Sequence, residues 1–253
     1  MTRRRRYAVP VFAAALLAAQ TAGAGEVRRL YRSLDVGEQG SVRLQAPTAS
    51  VILVPAPRPG RLEIEVVLSC AGDARLCSEA AESVALASEG SPHRLDLRLS
   101  GPVNHVDIGG RVALVYQRAS RQCRRRPSPA ASLSLSLGPS RPAFELSAEL
   151  WVGYPPGRPI EIALDQGHVV ALGLSTSASI DLDEGSVSIV LSRELARSVR
   201  LEAGRAGRTR LVLPDGRAVG ERRLSRWDGG GGDADVVVRV RAGDAALRLR
   251  GPE

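Results

Sequence analysis

Two-residue alternation dominates this chain. Leu62, Ile64 and Val66 alternate with Glu63, Glu65 and Val67; Leu95, Leu97 and Leu99 alternate with Arg94, Asp96 and Arg98; Leu133, Leu135 and Leu137 alternate with Ser132, Ser134 and Ser136. Each run is a strand with one apolar and one wet face. No long segment shows the 3.6-residue period of a helix. The best helical candidate runs from Asp73 to about Glu82, where Ser78-Glu79-Ala80-Ala81 starts a short turn, with a plain loop as the alternative. From Phe144 onward the alternation becomes regular: Phe144–Val152, Ile160–Leu164, Val169–Leu172, Ile180–Leu182, Val187–Leu191, Val199–Leu201, Leu211–Leu213, Val236–Val240 and Ala245–Leu249. Asp165-Gln166-Gly167, Asp183-Glu184-Gly185, Ala203-Gly204 and Pro214-Asp215-Gly216 read as turns between them. Small residues at the turns and Ile, Val and Leu inside predict an all-β, β-solenoid-like protein of short stacked strands with a thin aliphatic core.

The segment from Gly101 to Arg141 is different. It holds Arg118, Arg121, Arg124, Arg125 and Arg126, followed by Pro127 and Pro129. Both flanks alternate, so the basic run is read as the tip of a hairpin between Val112–Tyr116 and Leu133–Leu137; a domain linker is the other reading. The expected organisation is a leader over 1–24, an N-terminal β region over 25–140 with this Arg/Pro-rich loop near 118–129, and a C-terminal β-repeat region over 141–253. One continuous domain over both regions remains open. Gly229-Gly230-Gly231-Gly232 is expected to be a flexible turn, because a strand interior does not tolerate four glycines.

Charge and composition then narrow the function. Arg3–Arg6 precede an apolar stretch from Ala8 to Ala19 and the small-residue site Ala22-Gly23-Ala24. That is the pattern of a cleaved signal peptide, and it predicts a periplasmic or extracellular protein; an uncleaved anchor is the alternative. Removing residues 1–24 lowers the formal net charge from +8 to +4, which is not the charge density of a nucleic-acid binder. Only 3% of residues are aromatic, so stacking platforms for single strands are scarce as well. All 35 basic residues are arginine, which reads first as a coding bias. In an oxidising compartment Cys70, Cys77 and Cys123 predict one disulfide and one leftover thiol. A local Cys70–Cys77 clip is the first choice and Cys77–Cys123 its rival.

At this point the chain resembles the bacterial putative-adhesin β-repeat proteins. The likeness is carried by SVILVPAPRPGRLEIEVVL near the front, by IEIALDQGHVVALGLS and IDLDEGSVSIVLS, and by the closing DGGGGDADVVVRVRAGDAALRL. The resemblance implies a signal peptide, short strands joined by Gly-Asp turns, and a solenoid-like stack. The family has no established catalytic residues to carry over. This chain departs from its pattern in having Gly167-His168 and Gly185-Ser186 where Gly-Asp is usual, and in the Arg/Pro segment. Neighbouring regulators of envelope stress in that family hint at an envelope-stress role.

No catalytic, cofactor or metal site is expected. His93, His105 and His168 lie in no nucleophile motif, and His168 is expected at a turn with a solvated or turn-bonded ring. Asp181 and Asp183 share one strand face, which is the footing for a glycan-hydrolase reading; a solvated face explains them more simply. Gly229–Asp235 has a single copy of a Gly/Asp pattern, out of phase for calcium. With no lysine there is no phosphate-binding loop of the Walker type. Arg118, Arg121, Arg124, Arg125 and Arg126 could hold phosphate or sulfate through bidentate forks, on lipid headgroups or acidic polysaccharide. The expected function is that of an exported, non-enzymatic envelope protein that contacts another envelope protein or a surface polymer.

Overall fold

The computed structural model describes residues 25–36, 40–56, 58, 60–91, 93–106, 143–220, 222–229 and 231–251. They form thirteen strands and one helix: β1 (Gly25–Asp35), β2 (Ser41–Pro55), β3 (Arg61–Gly72), α1 (Ala74–Ser83), β4 (Ala85–Ser91), β5 (Arg94–Ser100), β6 (Phe144–Tyr154), β7 (Ile160–Leu174), β8 (Ala178–Ser192), β9 (Ala196–Ala203), β10 (Thr209–Val212), β11 (Ala218–Val219), β12 (Leu224–Asp228) and β13 (Ala234–Arg250). The fold is all-β. All strands belong to one hydrogen-bonded sheet.

The strands expected to be short are partly long. Ile160–Leu164 and Val169–Leu172 are the two arms of the single 15-residue strand β7, and β8 and β13 likewise each absorb two of the expected pieces. Asp165-Gln166-Gly167 and Asp183-Glu184-Gly185, expected to be turns, are bends inside β7 and β8, whereas Ala203-Gly204 and Pro214-Asp215-Gly216 do lie where β9 and β10 end and the chain turns. β2, β7, β8 and β13 lie side by side and parallel, in the order β2-β7-β8-β13, and Ala49, Gly167, Gly185 and Gly243 stand level with one another at the bend. Gly167, Gly185 and Gly243 have φ of 151°, 136° and 134°. A Cβ on Gly167 would meet the carbonyl oxygen of Ala49, one on Gly185 that of Gly167, and one on Gly243 that of Gly185. Close backbone approach across neighbouring strands thus requires glycine at this corner.

The bend also shifts the inward parity. In β7 the core takes Ile160, Ile162 and Leu164 before the corner and Val169 and Ala171 after it. β2 does the same with Val42, Leu44, Ala46, then Val51 and Leu53; β8 with Ile180, Leu182, then Val187 and Ile189; β13 with Val236, Val238, Val240, then Ala245 and Leu247. The bent strands wrap one continuous aliphatic core. Tyr154, 1% exposed, is a rare ring within it, and its hydroxyl accepts the Ser175 N–H at 3.0 Å.

At each end of this four-strand centre, one further course of the stack is split in two. β5 pairs with the first arm of β2 and β6 with the second, both parallel. β9 and β10 pair in the same way with the two arms of β13. β5 thus pairs with β2 before the corner and β6 after it, and beyond β5 the backbone N–H groups of Asn104 and His105 donate to the Leu146 carbonyl on β6. Antiparallel strands finish the edges: β4 on β5, β3 and then β1 beyond β6, β12 on β9, β11 on β10. Strands from before and after the Gly101–Ala143 connection share one sheet and one core.

α1 begins one turn earlier than Ser78. Asp73 is its N-cap, accepting the backbone N–H groups of Arg75 and Leu76 at 3.0 Å each. Cys77, Ala80 and Ala81 are its buried residues. Cys77 is joined by a disulfide to Cys70 on β3, with Cα atoms 5.8 Å apart. At the other end, Nη1 of Arg28 on β1 donates to the carbonyls of Ala81, Glu82 and Val84 at 2.7, 2.9 and 3.0 Å. This cation satisfies carbonyls that the helix itself leaves open.

Candidate functional site

The bend gives the molecule two outer faces with different chemistry. On the first arms, outward positions are charged and paired across strands. Asp96, Arg43, Glu161 and Ser179 stand in one row on β5, β2, β7 and β8; Ala163, Asp181, Arg239 and Glu202 stand in the next on β7, β8, β13 and β9. Arg94 reaches Asp96 at 2.9 Å and Glu161 at 3.7 Å; Arg239 reaches both Asp181 and Glu202 at 3.4 Å. A shallow cleft of about 440 Å³ opens on this face, lined by Arg43, Gln45, Glu89, Arg94, Asp96 and Arg98 among others. Cross-strand pairs of opposite charge favour this register.

The two candidate carboxylates belong to that ladder. Asp181 faces Arg239 at 3.4 Å and Asp183 faces Arg241 at 3.2 Å, and all four side chains are at least half exposed. Each carboxylate is thus a solvent-exposed cross-strand partner of an arginine. Further along β13, Arg197 and Ser198 hold the Asp235 carboxyl down at about 2, through hydrogen bonds from the guanidinium and the hydroxyl. Asp235 therefore already has a cation as partner. Among the described residues no cluster of three or more His, Cys, Asp or Glu is placed to hold a metal ion.

On the second arms the outward positions are small or apolar and withdrawn from solvent. Ile52, Val170 and Ser188 are 0% exposed and Ala246 is 1% exposed, all on one row across β2, β7, β8 and β13. The row nearer the corner carries Ser50, His168, Ser186 and Asp244. His168 is 2% exposed, and its Nδ1 lies 2.8 Å from the Ser186 hydroxyl. Burial pushes its pKa down to about 4, so the ring is neutral at neutral pH. The expectation of a solvated turn histidine is thus corrected: the residue after Gly167 is inside a strand, on a face that is covered.

Arg118, Arg121, Arg124, Arg125 and Arg126, with Cys123, lie outside the described residues, as do residues 1–24, where a leader is expected. Among the described residues no helix is long and apolar enough to cross a membrane. A second group of arginines forms no run in the sequence and is brought together only by the fold. Arg205 and Arg208 sit in the corner between β9 and β10, and Arg222 and Arg223 in the segment leading into β12. The signal available was the count of arginines after residue 193, spread too thinly to form a run.

No family model matches the chain, and no curated protein matches it. Among solved structures it is similar to a putative cell adhesion protein from Clostridium sporogenes, at 12% identity and a TM-score of 0.46, over 89% of this chain and 99% of that one.

Proposed function

We propose that this is an exported, non-enzymatic structural or interaction protein of the cell envelope. The observation that carries this reading is the ionic ladder across β5, β2, β7, β8, β13 and β9, in which Asp181 and Asp183 serve as cross-strand partners of arginine. It presents a broad charged face in which acidic and basic groups are paired across strands. The Cys70–Cys77 disulfide supports an oxidising compartment, and the leader pattern supports export. Envelope proteins or surface polymers are the partners proposed for this face.

Cell fractionation followed by in-cell cross-linking from the ladder face tests the reading. A defined envelope partner is expected, lost when Arg43 and Arg239 are replaced by Ser. Recovery of the uncross-linked protein alone would overturn it. Glycan turnover that disappears in Asp183→Asn would instead establish a hydrolase. The loop reading stays a separate proposal, carried by the density of arginines over Arg118–Arg126: Arg124→Ser/Arg125→Ser/Arg126→Ser should abolish a salt-sensitive polyanion binding.

A further inference from the structure

Charge is unevenly distributed along the stack. Residues 143–192 contain one arginine against seven acidic residues, whereas residues 193–228 contain ten arginines against five acidic residues. In the second group Arg197, Arg200, Arg217 and Arg226 form ion pairs with Asp235, Glu202, Asp215 and Asp228. Arg205, Arg208, Arg222 and Arg223 are exposed. Among the described residues none of these four guanidiniums has an ion-pair partner.

The fold brings these four together although up to eighteen positions separate them. The Arg223 carbonyl accepts the Ala203 N–H at 2.9 Å, and the Arg222 carbonyl accepts the Thr209 N–H at 2.9 Å. The segment entering β12 is thereby clamped onto both sides of the corner that carries Arg205 and Arg208. Within the corner the Gly207 N–H donates to Gly204 at 3.1 Å, and the Arg208 N–H donates to Asp244 at 2.9 Å. The Asp244 carboxylate that accepts the Arg208 N–H is one acidic group against four guanidiniums, so the corner keeps an excess of positive charge that favours an anionic partner.

A fifth residue indicates which partner. Leu224 follows Arg223 directly and is 42% exposed, on the outward side of the edge strand β12, while Ser225 and Trp227 turn inward. A soluble polyanion has no use for an exposed leucine. A bilayer takes both parts: headgroup phosphates meet the guanidiniums and the leucine reaches the interface. We propose that this corner docks the protein on an anionic phospholipid surface, through Arg205, Arg208, Arg222, Arg223 and Leu224. The site uses none of the Arg118–Arg126 residues and does not depend on the partner proposed for the ladder face.

Co-sedimentation with vesicles tests it. The purified chain should bind phosphatidylcholine vesicles containing about one third phosphatidylglycerol, bind pure phosphatidylcholine vesicles weakly, and release as salt rises and the Debye length shrinks below about 10 Å. Arg222→Ser/Arg223→Ser should lower partitioning roughly tenfold or more, and Leu224→Ser severalfold. The loss on Arg222→Ser/Arg223→Ser should be of the same size with or without Arg124→Ser/Arg125→Ser/Arg126→Ser. Equal binding to both vesicle types, or salt-insensitive binding by the unaltered protein, would overturn the proposal. So would full binding by Arg222→Ser/Arg223→Ser combined with new self-association of that variant, since the arginines would then be guards of an open sheet edge. Unaltered binding by Leu224→Ser, with full competition by soluble polyphosphate, would reassign the corner to soluble polyanions.

Discussion

Among single residues, His168 shows how far environment outweighs residue type. Its ring is 2% exposed and its pKa is lowered from 6.5 to about 4 by burial. In the unfolded chain the ring protonates near 6.5, so between about 6.5 and 4 the unfolded state binds the extra proton and stability falls as pH falls. The loss is complete below about 4 and amounts to about 3 kcal/mol. Urea unfolding followed from pH 7 to pH 4 should show this slope, and His168→Gln should flatten it. Gly185 is a second such position. Any Cβ there meets the Gly167 carbonyl, so Gly185→Ala should cost about 3 kcal/mol or more, read as a lowered denaturation midpoint. Neither role is written in the local sequence. Asp-Gln-Gly and Asp-Glu-Gly are ordinary turn signals, and only the neighbouring strands turn them into bends.

For whole elements, the alternating runs were legible where one face is wet. Leu62, Ile64 and Val66 lie in β3, and Leu95, Leu97 and Leu99 in β5, because a half-buried strand writes period two into its side chains. The long strands look like pairs of short ones in the sequence, since the inward parity shifts at each bend. The shift itself was present as a spacing of five between Leu164 and Val169, Leu182 and Val187, and Val240 and Ala245. The helix was legible through Asp73, whose carboxylate is a better N-cap signal than Ser78. Its attachment can be tested from both ends. Arg28→Ala removes three bonds to the helix C-terminus and should cost about 1–2 kcal/mol of stability. Cys70→Ser/Cys77→Ser opens a loop with a sequence separation of 7 and should cost about 2.5 kcal/mol by chain entropy. Guanidinium unfolding of each variant measures both.

The whole molecule is held by pairings between distant parts of the chain, and these were the least legible. Nothing in the local pattern of β13 says that it pairs with β8 on one side and with β9 and β10 on the other. Because β2 hydrogen-bonds β6 and β7 alike, the regions before and after the Gly101–Ala143 connection should unfold in one calorimetric transition; two separable transitions would contradict a shared core. The corner arginines belong to the same scale, since only the assembled stack draws Arg205 and Arg223 together. The central place of β13 also has a consequence in time. As the chain is synthesised or threaded through an export pore, β8 and β9–β10 are complete while residues 234–250 are still to come. Until that final strand arrives, β8 keeps a bare edge, and no strand pairing among the described residues joins β9, β10, β11 and β12 to the rest of the sheet. Such bare edges are templates for other chains, so the molecule is most vulnerable to aggregation just before its last strand arrives. A chain stopped at Asp233 should remain in that state, visible as dye binding to exposed apolar surface.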